Sequence, residues 1–160
     1  MGTGKSAVGR LLAERLNRPF LDLDKSIEKE AGQTVPQIFK REGEAGFRRL
    51  EKQAVERAAG LQGYVVATGG GVMMDEDNIR TLKSSGVLIC LTASPDVILK
   101  RTEAALASRP MLAGGNVRER IEGLLRLRAP FYAQADVTID TTDRLVNEVV
   151  EEILKKVWHE

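Results

Sequence analysis

The run Gly2-Thr3-Gly4-Lys5-Ser6 leads straight into a helical pattern over residues 7–16, and no other feature narrows the open folds so sharply. Glycines let backbone N–H groups wrap a phosphate, and the amino terminus of the following helix adds partial positive charge. A lysine at this spacing reaches the outer phosphates and a hydroxyl binds magnesium. The run matches the end of a Walker A motif, which makes Gly2, Thr3, Gly4, Lys5, Ser6 and Ala7 candidates for holding ATP and Ser6 a candidate ligand of Mg²⁺. The bland alternative is a glycine-rich tail before an ordinary helix. The full motif carries a further glycine and a feeding strand, both of which would precede Met1, so Met1 is expected to be an internal methionine of a longer natural protein.

Short apolar runs alternate with longer helical patterns, which predicts βαβ units around a mostly parallel sheet. The strands are expected at residues 19–23, 64–67, 87–91 and 137–139. Ser94 before Pro95, Thr34 before Gln37 and Asn116 before Glu119 read as helix starts. The spacing of Leu145, Val146, Val149, Val150, Ile153, Leu154 and Val157 predicts a last helix with one apolar face. A length of 160 residues fits one domain, and the glycine- and proline-bearing segment 108–116 has the composition of a mobile lid.

Lys and Arg number 24 against 23 Asp and Glu, so no global field favours nucleic acid or an anionic membrane, and any anion must be held locally. The single cysteine, Cys90, cannot form an intrachain disulfide, which fits a reduced, cytoplasmic setting. No run approaches the length of a membrane span.

Phe20-Leu21-Asp22-Leu23-Asp24 places carboxylates at period two, expected to project from one face at the carboxyl end of a strand, where ligands bind in open α/β sheets. One acid can serve a metal, usually through water, while the other orients or deprotonates an attacking hydroxyl. The alternative is that Asp24 caps the next helix and Asp22 is a solvated turn residue. The strand at 64–67 ends in Thr68-Gly69-Gly70-Gly71 without an aspartate, which leaves Asp22 to serve the metal. The three glycines permit unusual backbone angles and close approach of a ligand, or else a merely flexible connection. Gly43 to Glu51 opens a helix on which Arg48 and Arg49 point away from the core; either is a solvated surface group unless a carboxylate ligand awaits it. Arg101, Arg109, Arg118, Arg120, Arg126 and Arg128 crowd the region after the apolar run at 87–91, and phosphate is their natural partner.

Taken together, the loop at residues 2–6, Asp22-Leu23-Asp24, the GEAGFRRLE segment at 43–51, the triple glycine, Arg109-Pro110-Met111-Leu112 and Arg128-Ala129-Pro130-Phe131-Tyr132 resemble the shikimate kinase family over nearly the whole chain. The resemblance implies a three-layer α/β P-loop kinase fold with a five-stranded parallel sheet, of which four strands are visible here. It also implies ATP as donor, shikimate as acceptor, Mg²⁺ and a monomer. On the matching positions, Asp24 would meet the reacting hydroxyl, Arg48 and Arg128 the shikimate carboxylate, and the glycines 69–71, through Gly70, a substrate hydroxyl. Lys5 and Arg109 would stabilise the transferring phosphoryl group, Ser6 would bind magnesium directly and Asp22 indirectly, and Arg101 would lie near adenine. A gluconate-type kinase shares the loop but not the GEAGFR and GGG combination, and a nucleotide-binding module without catalysis is the other reading.

Overall fold

A computed structural model describes residues 1–103, 110–112 and 114–158. Its elements run α1 (Lys5–Arg15), β1 (Phe20–Asp22), α2 (Leu23–Ala31), α3 (Val35–Ala59), β2 (Val65–Ala67), α4 (Glu76–Ser85), β3 (Ile89–Thr92), α5 (Pro95–Thr102), α6 (Val117–Tyr132), β4 (Val137–Asp140) and α7 (Val146–Trp158). All four expected strands are present; the first three begin one or two residues later than expected, and the fourth runs one residue further. Both ladders are parallel: Phe20 to Asp22 pair with Val65 to Ala67, and Ile89 to Thr92 with Val137 to Asp140.

The ladders form two two-stranded sheets, β1-β2 and β3-β4, both with the parallel pairing that was expected. Between them lies a cavity of about 520 Å³ lined by Val65, Val66, Ile89, Cys90 and Leu91, with Tyr64 and Val87 at its edge. Helices cover the strands in three apolar groups. Leu23, Ile27, Ile38, Phe47 and Val55 join α2 to α3. Val8, Leu12, Ile139, Val150 and Ile153 join α1, β4 and α7, and Ile98, Leu112, Ile121 and Leu124 join α5 to α6. Leu145, expected on the apolar face of the last helix, precedes α7 and is 71% exposed.

Local chemistry explains the helix starts. Ser94 caps α5 through Val97 N–H with Pro95 in its first turn, and Asn116 caps α6 through Glu119 N–H. Thr34 and Gln37 exchange both bonds of a capping box at α3. Gly43 then breaks α3 with φ 71° and ψ −176°, a conformation that glycine alone adopts readily. The break lies between the segment that carries Ile38 and the segment that carries Arg48 and Glu51, and both segments pack against α2. Among the described residues no helix is long and apolar enough to cross a membrane.

Gly43→Ala is expected to lower the unfolding free energy by ~1–3 kcal/mol, because a side chain is strained in that backbone region. Urea denaturation checks it; an unchanged midpoint would show that the break tolerates a side chain.

Candidate active site

The amino-terminal loop has the geometry its residue types call for. Gly4 sits in the left-handed region at φ 88° and α1 begins immediately at Lys5, so the first-turn amides, which have no acceptor within a helix, face the loop. Gly2 also has positive φ, and a Cβ there would lie 2.9 Å from the Thr102 side chain. Thr3 is buried, with its hydroxyl unpartnered. Arg101, expected beside the nucleotide base, donates to the Gly2 carbonyl (3.3 Å) and to both the hydroxyl (3.0 Å) and the carbonyl (2.9 Å) of Thr141. It therefore ties the loop to the turn that follows β4.

Ser6 Oγ donates to Asp22 Oδ2 at 2.8 Å. The two candidate metal groups are thus adjacent, and they suit an ion whose other ligands are phosphate oxygens and water. Among the described residues no cluster of three or more His, Cys, Asp or Glu would hold a metal by itself.

The two aspartates do not share a strand face. β1 stops at Asp22, whose side chain accepts from Lys25 N–H and caps α2, so Asp24 lies in the first turn of that helix. The alternative, in which Asp24 caps the helix, does not hold: Asp22 caps and Asp24 does not. The physical reason is that an aspartate immediately before a helical run satisfies an orphan amide of its first turn, and this ends the strand early. Asp24 Oδ1 is buried without a partner.

Asp24 faces Glu51, a carboxylate only 1% exposed. Glu51 Oε1 accepts from Arg48 Nη1 at 2.8 Å, while Oε2 has no partner. Burial, and next the charge of Asp22, push the Asp24 carboxyl above the usual carboxylate range against the pull of Lys5 and Arg48. Burial raises Glu51 as well, with Arg48 opposing and Asp24 adding to the rise.

These side chains pack on the triple glycine, and here the reason for the glycines differs from the expected one. None of the three has positive φ; Gly71, for example, sits at φ −90°. What they provide is room. A Cβ at Gly69 would lie 3.1 Å from both Asp24 Oδ1 and Glu51 Oε2, one at Gly70 would lie 2.7 Å from Arg128 Nη1, and one at Gly71 would collide with the Arg48 guanidinium. Arg128 is 5% exposed, in contrast to an ordinary surface arginine. The pocket that these side chains line measures about 110 Å³, and Pro110, Met111 and Leu112 contribute to its wall. The larger cavity lies between the strands and reaches this region only at its upper end, through Thr3, Lys5, Gly69 and Gly70. The smaller one holds the charged groups.

Arg109, and with it residues 108 and 113 of the expected lid, lies outside the described residues. The other arginines do not converge on one anion. Arg118 pairs with Asp96 and Glu122 on the surface, Arg126 and Arg120 are exposed, and Arg49 pairs with Glu42. Two residues of the site carried no expected role. Glu51 follows Arg48 by three positions, a helical spacing that pairs them, yet spacing gives no sign of its burial. Tyr132 follows Arg128 by four and donates its hydroxyl proton to the Gly70 carbonyl at 2.7 Å.

A family profile described as Shikimate kinase matches residues 1–158. The chain is 48% identical over 155 residues to a shikimate kinase of Thermoanaerobacter pseudethanolicus, covering 97% of this chain and 90% of that one. It is 44% identical over 158 residues to that of Thermus thermophilus, covering 99% and 86%. Among solved structures, a shikimate kinase from Acinetobacter baumannii in complex with shikimate superposes with a TM-score of 0.96 at 37% identity, covering 99% of this chain and 89% of that one. One from Aquifex aeolicus superposes at 0.85 with 34% identity, covering 99% and 92%.

Gly71→Ala is expected to displace the Arg48 guanidinium and raise the KM of the phosphoryl acceptor severalfold, with little change in the KM for ATP. Steady-state kinetics with each substrate varied in turn checks it. Since the clash is with the end of a flexible side chain, melting should shift little.

Proposed function

The chain belongs to the shikimate kinase family, and from that premise we propose how its own residues divide the transfer of the γ-phosphoryl group of ATP to the 3-hydroxyl of shikimate. It is an ATP-dependent small-molecule kinase that yields shikimate 3-phosphate and ADP and serves aromatic amino-acid biosynthesis. A gluconate-type acceptor, compatible with the phosphate loop alone, finds no support in relatives that are shikimate kinases over nearly the full length.

The observation that carries the division of roles is the buried, unpartnered Oδ1 of Asp24, set among Arg48, Lys5 and the glycines. A carboxylate that is costly to keep charged gains by taking a proton. We assign Asp24 the hydroxyl proton of shikimate. The hydroxyl oxygen forms its bond to the γ-phosphorus, the bond from that phosphorus to the bridging oxygen of ADP breaks, and the proton passes to Asp24. Arg48 lies against Gly71 and Arg128 against Gly70, and both are suited to grip the carboxylate of shikimate, since guanidinium forks bind carboxylates with two parallel bonds. The Acinetobacter relative, crystallised with shikimate, supports this choice of ligand.

Lys5 and the amides of the loop neutralise the outer phosphates, and Arg109 joins them there. Mg²⁺ fits Ser6 as a direct ligand and Asp22 through water, since the two side chains already meet at 2.8 Å. When bound, the ion would neutralise charge on the phosphate oxygens. Arg101 acts on the nucleotide side by holding the Gly2 carbonyl. Pro110, Met111 and Leu112 belong to the lid that excludes water from the pocket. We place the enzyme in the cytoplasm as a monomer of one domain without nucleic-acid partners, consistent with its balanced charge and lone thiol.

Asp24→Asn is expected to retain ATP binding while losing roughly 10²–10⁴-fold in kcat. Because the native pKa of Asp24 is raised, kcat/KM for shikimate should fall as pH drops through a value above the ordinary aspartate pKa of about 3.9. The acid limb belongs to Asp24 and Glu51 together. The sign for stability is the reverse of the usual one. A raised native pKa means the folded state binds this proton more tightly than the unfolded chain, so the group favours folding as pH falls and opposes it at neutral pH. Asp24→Asn should therefore melt no lower than the parent at neutral pH. Turnover close to the parent's would contradict the role.

A further inference from the structure

We propose that Tyr132 is a positioning residue for the acceptor site, its hydroxyl linking the Arg128 guanidinium to the carbonyl of Gly70. The inference rests on the reading that Arg128 and the glycine run hold shikimate. Arg128 and Tyr132 are four residues apart on α6, so their side chains rise from one face of the helix. The Tyr132 hydroxyl donates to Gly70 O at 2.7 Å. A phenol has one proton, and committing it to Gly70 leaves the oxygen lone pairs to accept from Arg128. Burial drives the phenol pKa up, and the bond and charge of Arg128 pull the other way, so the hydroxyl stays protonated at neutral pH and remains a donor.

The bond has a geometric consequence. No peptide in the described chain is cis, so the Gly71 N–H points opposite to the Gly70 carbonyl across one plane. Holding the carbonyl aims that N–H. Three successive glycines lack the side chains that would otherwise restrict these planes, and the room they leave is filled by Arg48 and Arg128 rather than by their own atoms. Tyr132 supplies the missing restraint from outside the loop. It also fixes Arg128 relative to the backbone of Gly70, against which both side chains lie, so the grip on the carboxylate is held in register with the glycine run.

Tyr132→Phe removes the hydroxyl and keeps the ring. Its shikimate KM is expected to rise about tenfold, the effect of losing one well-placed hydrogen bond in the site, with kcat and the KM for ATP within about twofold to threefold. In an Arg128→Ala background the same change should add little, because the two groups act as a unit. A merely structural hydroxyl would lower the melting temperature and leave the KM split absent. An unchanged shikimate KM in Tyr132→Phe, with Arg128→Ala still raising it, would overturn the proposal and leave the site assignment standing. Arg128→Ala with an unchanged shikimate KM would overturn the site assignment and the proposal with it. A tenfold rise that is fully additive with Arg128→Ala would also overturn the linkage.

Discussion

Charged side chains reach this pocket by packing directly on main chain, and much of the surrounding structure follows from that contact. Arg128 and Arg48 approach Gly70 and Gly71 so closely that a Cβ there would have to move them, and Asp24 and Glu51 lie tight against Gly69. The carboxylates are kept apart from water, which is why both hold protons more readily than usual, and the guanidinium of Arg48 offsets part of that cost. To bring four such groups together the fold uses α2, α3, α6 and the loop after β2. Each element is fixed by apolar packing elsewhere, so the charged groups do not have to hold their own scaffold.

The phosphate loop is likewise held from outside. Its carbonyls are bound by Arg101 and by the Thr141 hydroxyl, which lies 3.2 Å from Thr3 O, and its serine is engaged by Asp22. Asp22 therefore does three things at once: it ends a strand, caps a helix and meets Ser6. A substitution there would disturb both substrates, and a purely catalytic interpretation of such a variant would mislead.

Most of the architecture was legible because it depends on local signals. The glycine-lysine-serine loop, the caps at Thr34, Ser94 and Asn116 and the apolar runs each act within a few residues, and the structure has a helix or strand at each. Arg48 and Arg128 were singled out by resemblance, while their burial against glycine was beyond any local pattern. The roles of Asp22 and Asp24 at the helix start could not be told apart from spacing, since either aspartate can cap and a short strand offers too few residues to resist an early end. Glu51 and Tyr132 stayed silent for a related reason: a charge or a phenol on a helix is usually solvated, and only the tertiary contacts of Gly69 and Gly70 distinguish these two. The apparent arginine cluster after β3 dispersed because neighbours in sequence face different directions on a helix.

The two sides of the site draw on the ends of different strands. Asp22 and the glycine run stand at the ends of β1 and β2, whereas Thr141 and the grip on Gly2 belong to the end of β4. Helix α1 packs against β1, β2 and α7, so it touches both halves while carrying the phosphate loop at its tip. Its contact with Phe20 is so close that a Cβ at Gly9 would fall 2.7 Å from the ring. The helix is seated against β1 about one turn beyond Lys5 and Ser6, so the fit at Gly9 sets how near the phosphate loop stands to the strand end that carries Asp22.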